Sequence, residues 1–190
     1  MGIKSLAAKM VLSRASSKVA VAPLSLPLEL KGKTLLVLLP AIQRDLTIVK
    51  QILPEVTTYF GDRNVFLMAC PDTHVESIFP SKGFRIMSPK KSDANWCELP
   101  SKVFLDRLSQ KKFDYIFDTN LEENQFAARI LLQFPEAIRF GSTGHLGLPY
   151  INLEVKTNYL RDRRLIYRSI LEVVGNLAKP TGPHKTVSEE

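Results

Sequence analysis

Asp45, Asp118 and Asn120 are the side chains best placed to do chemistry, because each lies at or just past the end of an apolar run of strand length. Asp45 closes "PAIQRD", residues 40–45, where "TLLVLL" gives way to a helical pattern. A carboxylate at that point has two uses. It can cap the helix by accepting hydrogen bonds from free backbone NH groups of the first turn, helped by the helix dipole. Alternatively it can act as a general base, taking a proton from a substrate hydroxyl. Gln43 and Arg44 beside it would then contact the same ligand. The second turn, "DTNLEEN" at 118–124, offers Asp118, Thr119 or Asn120 as a helix cap, with Glu122 and Glu123 suited to the first helical turn. Adjacent residues on a helix point in different directions, so the two glutamates make a poor acid/base or metal pair. Asp118 and Asn120 also remain candidates for touching a ligand. The third turn, "GSTGHLGLP" at 141–149, carries Gly141 and Gly144, which admit a backbone close to an anion, and His145, which can bind a phosphate or donate a proton. A plain surface connection is the alternative there.

Other chemistries lack their signatures. There is no GxGxxG and no GxxxxGK[ST], so dinucleotide or P-loop binding has no support. Histidines 74, 145 and 184 are scattered, and Cys70 and Cys97 have no metal-ligand spacing, so no metal site and no cofactor are expected. Cys70 ends an apolar run and reads as a core residue, whereas Cys97, beside Trp96 in a polar stretch, reads as exposed.

The elements that must hold these turns alternate. Strand-like runs fall at 34–39, 64–70, 84–87, 113–118 and 137–140, with a short further one in "YINLEV" at 150–155. Between and after them lie helical patterns at 45–60, 73–79, 100–110, 121–134 and 158–177. Pro54 is expected to kink or split the first of these, and Val103, Leu105 and Leu108 to supply the apolar content of the third. Strand–helix alternation implies right-handed crossovers and a parallel sheet covered on both faces. The expected fold is therefore α/β: a single Rossmann-like domain over residues 34–178, with about five strands. Ligands in such sheets bind beyond the carboxyl ends of the strands, where the three turns lie.

Charge locates the rest. The formal charge is +7, yet residues 29–156 hold sixteen basic and fifteen acidic side chains, so the excess sits at the ends and no nucleic-acid face is expected. Residues 1–20 contain Lys4, Lys9, Arg14 and Lys18 with no acid, and Ile3, Leu6 and Met10 at helical spacing. They read as a basic amphipathic helix that packs on its own domain or a protein partner, lies on an anionic membrane surface, or serves as a transit peptide. Residues 21–33, with Pro23 and Pro27, read as a linker, and residues 179–190 as a disordered tail. No run approaches the roughly 20 apolar residues of a membrane span, and the cysteine usage suits a reducing compartment. A cytoplasmic protein, peripheral at most to the inner face of a membrane, is the expectation.

"LLVLLPAIQRD", "YFGDRNVFLM", "FDYIFDTN" and "AIRFG" together resemble the N-terminal, acceptor-side half of glycosyltransferase family 9, the ADP-heptose:lipopolysaccharide heptosyltransferases. The resemblance runs from residue 34 to about 178. It implies that Asp45 matches the aspartate that activates the acceptor hydroxyl. Arg44 stands where the family has glycine, and the helix proline is displaced to Pro54. The family's second domain, which supplies most of the nucleotide-sugar site, has no counterpart in these residues. The resemblance thus implies a heptosyltransferase-like half that binds a ligand or partner, or serves as an assembly subunit, without catalysis. The alternative is the acceptor-side subunit of a split enzyme, working with a separate donor-domain subunit and using Asp45 as general base.

Overall fold

Apolar runs too short for a helix are stable where both faces of a parallel sheet are covered. The computed structural model of the chain builds such a sheet, and describes residues 2–73, 75, 77–79, 84–144, 146–159 and 162–179. Among these the helices are α1 (Ile3–Ser16), α2 (Gln43–Phe60), α3 (Lys102–Ser109), α4 (Gln125–Leu131) and α5 (Arg163–Leu177). The strands are β1 (Leu35–Leu38), β2 (Val65–Met68), β3 (Arg85–Met87), β4 (Tyr115–Asp118), β5 (Ile138–Ser142) and β6 (Leu153–Val155). All pairings are parallel, in the order β3-β2-β1-β4-β5-β6. The domain is thus Rossmann-like α/β, and the short run at 150–155 supplies its sixth strand.

The two faces of the sheet alternate as the strand period requires. Leu35 and Val37 join the core formed with α2 and α5, while Leu36 and Leu38 join the one formed with α3 and α4. Each of these leucines is fully buried, worth about 2 kcal/mol apiece. Phe117 of β4 stacks on Phe140 of β5, ring centroids 4.7 Å apart. α2 and α5 lie so close that a Cβ on Gly175 would come within 2.6 Å of the Tyr59 hydroxyl. A larger residue there would have to displace the Tyr59 ring.

Several local expectations change. α2 runs unbroken through Pro54. In α3 it is Phe104, not Val103, that points inward: Val103 is 75% exposed, and Phe104, Leu105 and Leu108 are buried. The stretch 73–79 is a turn in its described residues, with the Ile78 and Phe79 NH groups both donating to the Val75 carbonyl. His74 lies outside the described residues, as does Leu160, expected in the last helix, which starts at Arg163. Residues 180–190 of the expected tail also lie outside them.

The amino-terminal helix differs most. Ile3, Leu6 and Met10 face solvent, and the buried contacts of α1 are Ala8 and Leu12, packed on Ala128 and Leu132 of α4 and on Cys97 and Leu99. Cys97, expected on the surface, is therefore buried under α1. Small residues win this face because they let two helix backbones approach. Residues 21–33 are extended but anchored: Leu28 and Leu30 are buried, and the Leu28 NH donates to the Leu177 carbonyl at 2.9 Å. No described helix is long and apolar enough to cross a membrane.

Candidate functional site

The chain leaves β1 toward β2 on one side and returns to place β4 on the other, so a crevice opens where the carboxyl ends of β1 and β4 part. A cleft of about 720 Å³ occupies that crevice, walled by Pro40, Ala41, Ile42 and Asp45 after β1, Cys70–Asp72 after β2, and Asn120–Phe126 after β4. Ser5 of α1 forms part of its rim. A second hollow of about 640 Å³, beside Asp114, Tyr115 and Gln133, lies at the opposite end of the sheet. The switch-point cleft is the stronger candidate because it holds a buried carboxylate with an unused oxygen.

That carboxylate is Asp45, 1% exposed, at the third position of α2. It does not cap the helix: the residue at the cap position is Ile42, and no side chain there takes a backbone NH. Instead Asp45 Oδ2 accepts from Arg163 Nη1, while Arg163 Nη2 donates to Glu122 Oε1 at 2.7 Å. One guanidinium at the start of α5 thereby ties the start of α2 to the turn after β4. Its hydrogen bond to Glu122 foremost, opposed by burial, and the charges of both carboxylates raise the pKa of Arg163. Asp45 Oδ1 has no hydrogen-bond partner; Arg44 Nε forms a looser ion pair with it at 3.7 Å, beyond hydrogen-bond reach. A buried carboxylate oxygen without a donor is costly, so Oδ1 keeps an unmet capacity to accept a hydrogen bond.

The floor beneath it is pinned. Thr119 Oγ1 donates to the Leu38 carbonyl at 2.6 Å, and Tyr167 Oη of α5 donates to the Thr119 carbonyl at 2.7 Å. Burial first, and then the Asp45 charge, push the Tyr167 phenol well above its ordinary range. Tyr167 therefore stays neutral and holds its place as a donor. Asp118 Oδ1 accepts from the backbone NH and side-chain amide of Asn120, at 3.0 and 2.7 Å. The Asn120 Oδ1 in turn accepts from Asn124 Nδ2 at 2.8 Å, which also reaches Cys70 Sγ at 3.0 Å. Cys70 is half-buried rather than in the core, and burial raises its thiol pKa, so it is an unreactive wall residue. The cap of α4 is Asn124, whose Oδ1 accepts from the Ala127 NH at 3.0 Å, and not Asp118, Thr119 or Asn120.

The structure thus brings Asp45 and Asn120 to one cleft, with Asp118 behind Asn120 as its support. Gln43 and Arg44 are exposed on the first turn of α2 and are not among the residues walling the cleft. Gly141 lies inside β5, in register with Asp118, where a Cβ would meet the Asp118 carbonyl at 3.0 Å. Its role is close strand approach. Gly144 has φ +137° with open space around it, also away from the cleft, and His145 lies outside the described residues. Among the described residues no group of three His, Cys, Asp or Glu side chains could hold a metal ion.

Sequence reasoning missed Arg163, Asn124 and Tyr167. Arg163 sits 118 residues from its partner, so no spacing could reveal the pair. One signal was available: Arg163 and Arg164 open a helix at the end where the dipole disfavours cations, which calls for an acidic partner.

The sheet order and the cleft at its switch point define a Rossmann-like α/β domain. In particular, the chain is similar to the E. coli heptosyltransferase WaaC with ADP, at 13% identity and a TM-score of 0.57. The match covers 78% of this chain and 49% of that one, so the chain spans about half the length of the enzyme it matches. At that identity the likeness is one of fold. No family model and no curated protein matches the chain.

Proposed function

We propose that this domain binds a hydroxyl-rich, carbohydrate-like ligand in the switch-point cleft and does not transfer a glycosyl group by itself. The observation that carries this is Asp45 Oδ1, buried in the cleft wall without a hydrogen-bond donor. A sugar hydroxyl supplies such a donor at no charge cost, and Asn120 adds a neutral amide on the facing wall. An activated sugar is a poorer fit. Its diphosphate would meet Asp45, Asp72, Glu98, Glu122 and Glu123, and the cations nearby, Arg163, Lys4 and Lys9, are already committed to four of these, leaving Lys91 among the described residues of the wall. Catalysis by Asp45 also competes with Arg163, which already holds Oδ2.

The test is calorimetric titration and thermal shift of the full chain against free hexoses and heptoses and their nucleotide-activated forms. A free sugar is expected to bind the wild type and to lose affinity with Asp45→Asn, which presents an amide where the acceptor oxygen stood. Equal binding by wild type and variant, or no sugar binding at all, would overturn the reading.

A second reading rests on the half-length fold likeness to a heptosyltransferase and on the place of Asp45 after β1. In it the domain is an acceptor-side subunit. Asp45 Oδ1 takes the proton of an acceptor hydroxyl as that oxygen bonds to the anomeric carbon of a nucleoside-diphosphate sugar. The anomeric carbon–oxygen bond breaks, and the nucleoside diphosphate leaves with the electron pair. Transfer by a mixture with a donor-side domain, abolished by Asp45→Ala, would favour this reading over the first.

A further inference from the structure

α1 is a helix with two used faces and one unused. Its inner face, Ala8 and Leu12, is seated on α4. Its flanks are tied by Lys4 to Glu98 and by Lys9 to Glu123, each at 3.1 Å. The outer face is left with Ile3, Leu6 and Met10, which are 83%, 57% and 54% exposed. Their spacings of three and four place them in one row, and Arg14 continues it four residues on. Exposed large apolar side chains scattered singly need no explanation, but a row of three on a helix whose other face is already buried does.

The charges around this row tell what covers it. Beyond Met10, Arg14 and Lys18 of the α1 end and Arg129 of α4 line a hollow of about 500 Å³ that contains no acidic residue. None of the three has an ion-pair partner among the described residues, whereas Lys4 and Lys9, on the flanks, do. Burial lowers the pKa of Arg129, a cost that an anion in the hollow would relieve. Apolar side chains in a row, with unpaired cations beside them, match the interfacial plane of an anionic bilayer: acyl chains for the row and phosphates for the hollow.

A second copy of the chain fits worse. Three side chains supply far less than the roughly 800 Å² per partner of a stable interface. A two-fold contact through this face would also bring like charges together.

We propose that the outer face of α1, together with Arg14, Lys18 and Arg129, docks the protein on an anionic phospholipid surface. This goes beyond the reading of the cleft and stands without it.

The experiment is co-sedimentation of the full chain with vesicles of equimolar phosphatidylglycerol and phosphatidylcholine, and with phosphatidylcholine alone. Binding is expected to the anionic vesicles only, and to weaken with added salt. A triple Ile3→Ser, Leu6→Ser, Met10→Ser variant is expected to bind about tenfold more weakly or worse. Arg14→Gln and Lys18→Gln should each cost about fivefold. All these positions face solvent, so the variants should keep the wild-type circular dichroism and melting transition, which separates lost docking from lost folding. Equal binding to both vesicle types, or undiminished binding by the triple variant, would overturn the proposal. So would a wild-type dimer that the triple variant turns into a monomer, since the face would then belong to a second copy.

Discussion

Removing either end of the Asp45–Arg163 pair should destabilise the fold unequally, and the inequality can be worked out from what each side chain keeps. Breaking a buried pair by deleting one partner costs about 3–5 kcal/mol when the survivor is left wholly unpaired. In Arg163→Ala the survivor is Asp45, whose side chain is 2% exposed and whose other oxygen has no hydrogen bond, so the cost should reach the lower part of that range, about 3 kcal/mol. In Asp45→Ala the survivor is Arg163, 23% exposed and still bonded to Glu122, so about 2 kcal/mol is expected. Were Asp45 a simple cap, its removal would cost about 1 kcal/mol and Arg163 would be irrelevant to it. The assay is urea unfolding of the full chain, followed by circular dichroism, for wild type, both single variants and the double variant. A coupling of about 1–2 kcal/mol is expected, with the arginine deletion the worse single change. Single costs that add to within about 0.5 kcal/mol in the double variant would refute the bridge.

Three further outcomes follow from groups elsewhere in the fold. Arg139 of β5 is fully buried, donates Nη1 to the Leu131 carbonyl at 3.2 Å, and leaves Nε and Nη2 without partners, so Arg139→Met should leave the urea midpoint unchanged or raise it. A clear loss of stability would show that the guanidinium has a partner the fold depends on. The Tyr115 phenol is pushed up from 10.0 to about 12 by burial foremost, and then by Asp114 and Glu29. The unfolded chain therefore loses this proton first, and the stability it lends is complete below pH 10 and falls away as pH rises toward 12. Unfolding midpoints across that range should drop, and less steeply in Tyr115→Phe. Ala8 is completely buried against α4, so Ala8→Glu should free α1 to limited proteolysis while the sheet persists by circular dichroism. An unchanged cleavage pattern would contradict the packing.

The fold was legible because β1 and β2 are buried on both sides, so "LLVL" and "VFLM" read as strands without any partner being known. Helix rotation was harder to read. The stripe Ile3, Leu6 and Met10 stands out by size, yet the buried face of α1 is set by Ala8, because close helix approach selects small side chains that a hydropathy pattern underweights. Val103 misled for a different reason, a one-position error in helix rotation: the buried side of α3 carries Phe104, Leu105 and Leu108. At the site, Asp45 was visible because strand ends can be located in sequence. That Arg163 would be its partner was not, because the arginines opening α5 signal a need for some acid without saying which one, 118 residues away. Asn120 was found beside Asp118, whereas Asn124 was hidden by a helix that starts four residues later than its charged turn suggests.

The Arg163 bridge makes the last helix a keystone. The cleft has no complete wall until residues from both halves of the chain have met, so it is a property of the finished architecture and not of any excised segment. A guest that satisfies the idle oxygen of Asp45 would tighten the same joint that seats α5, and its arrival should slow the escape of that helix as measurably as it fills the cleft.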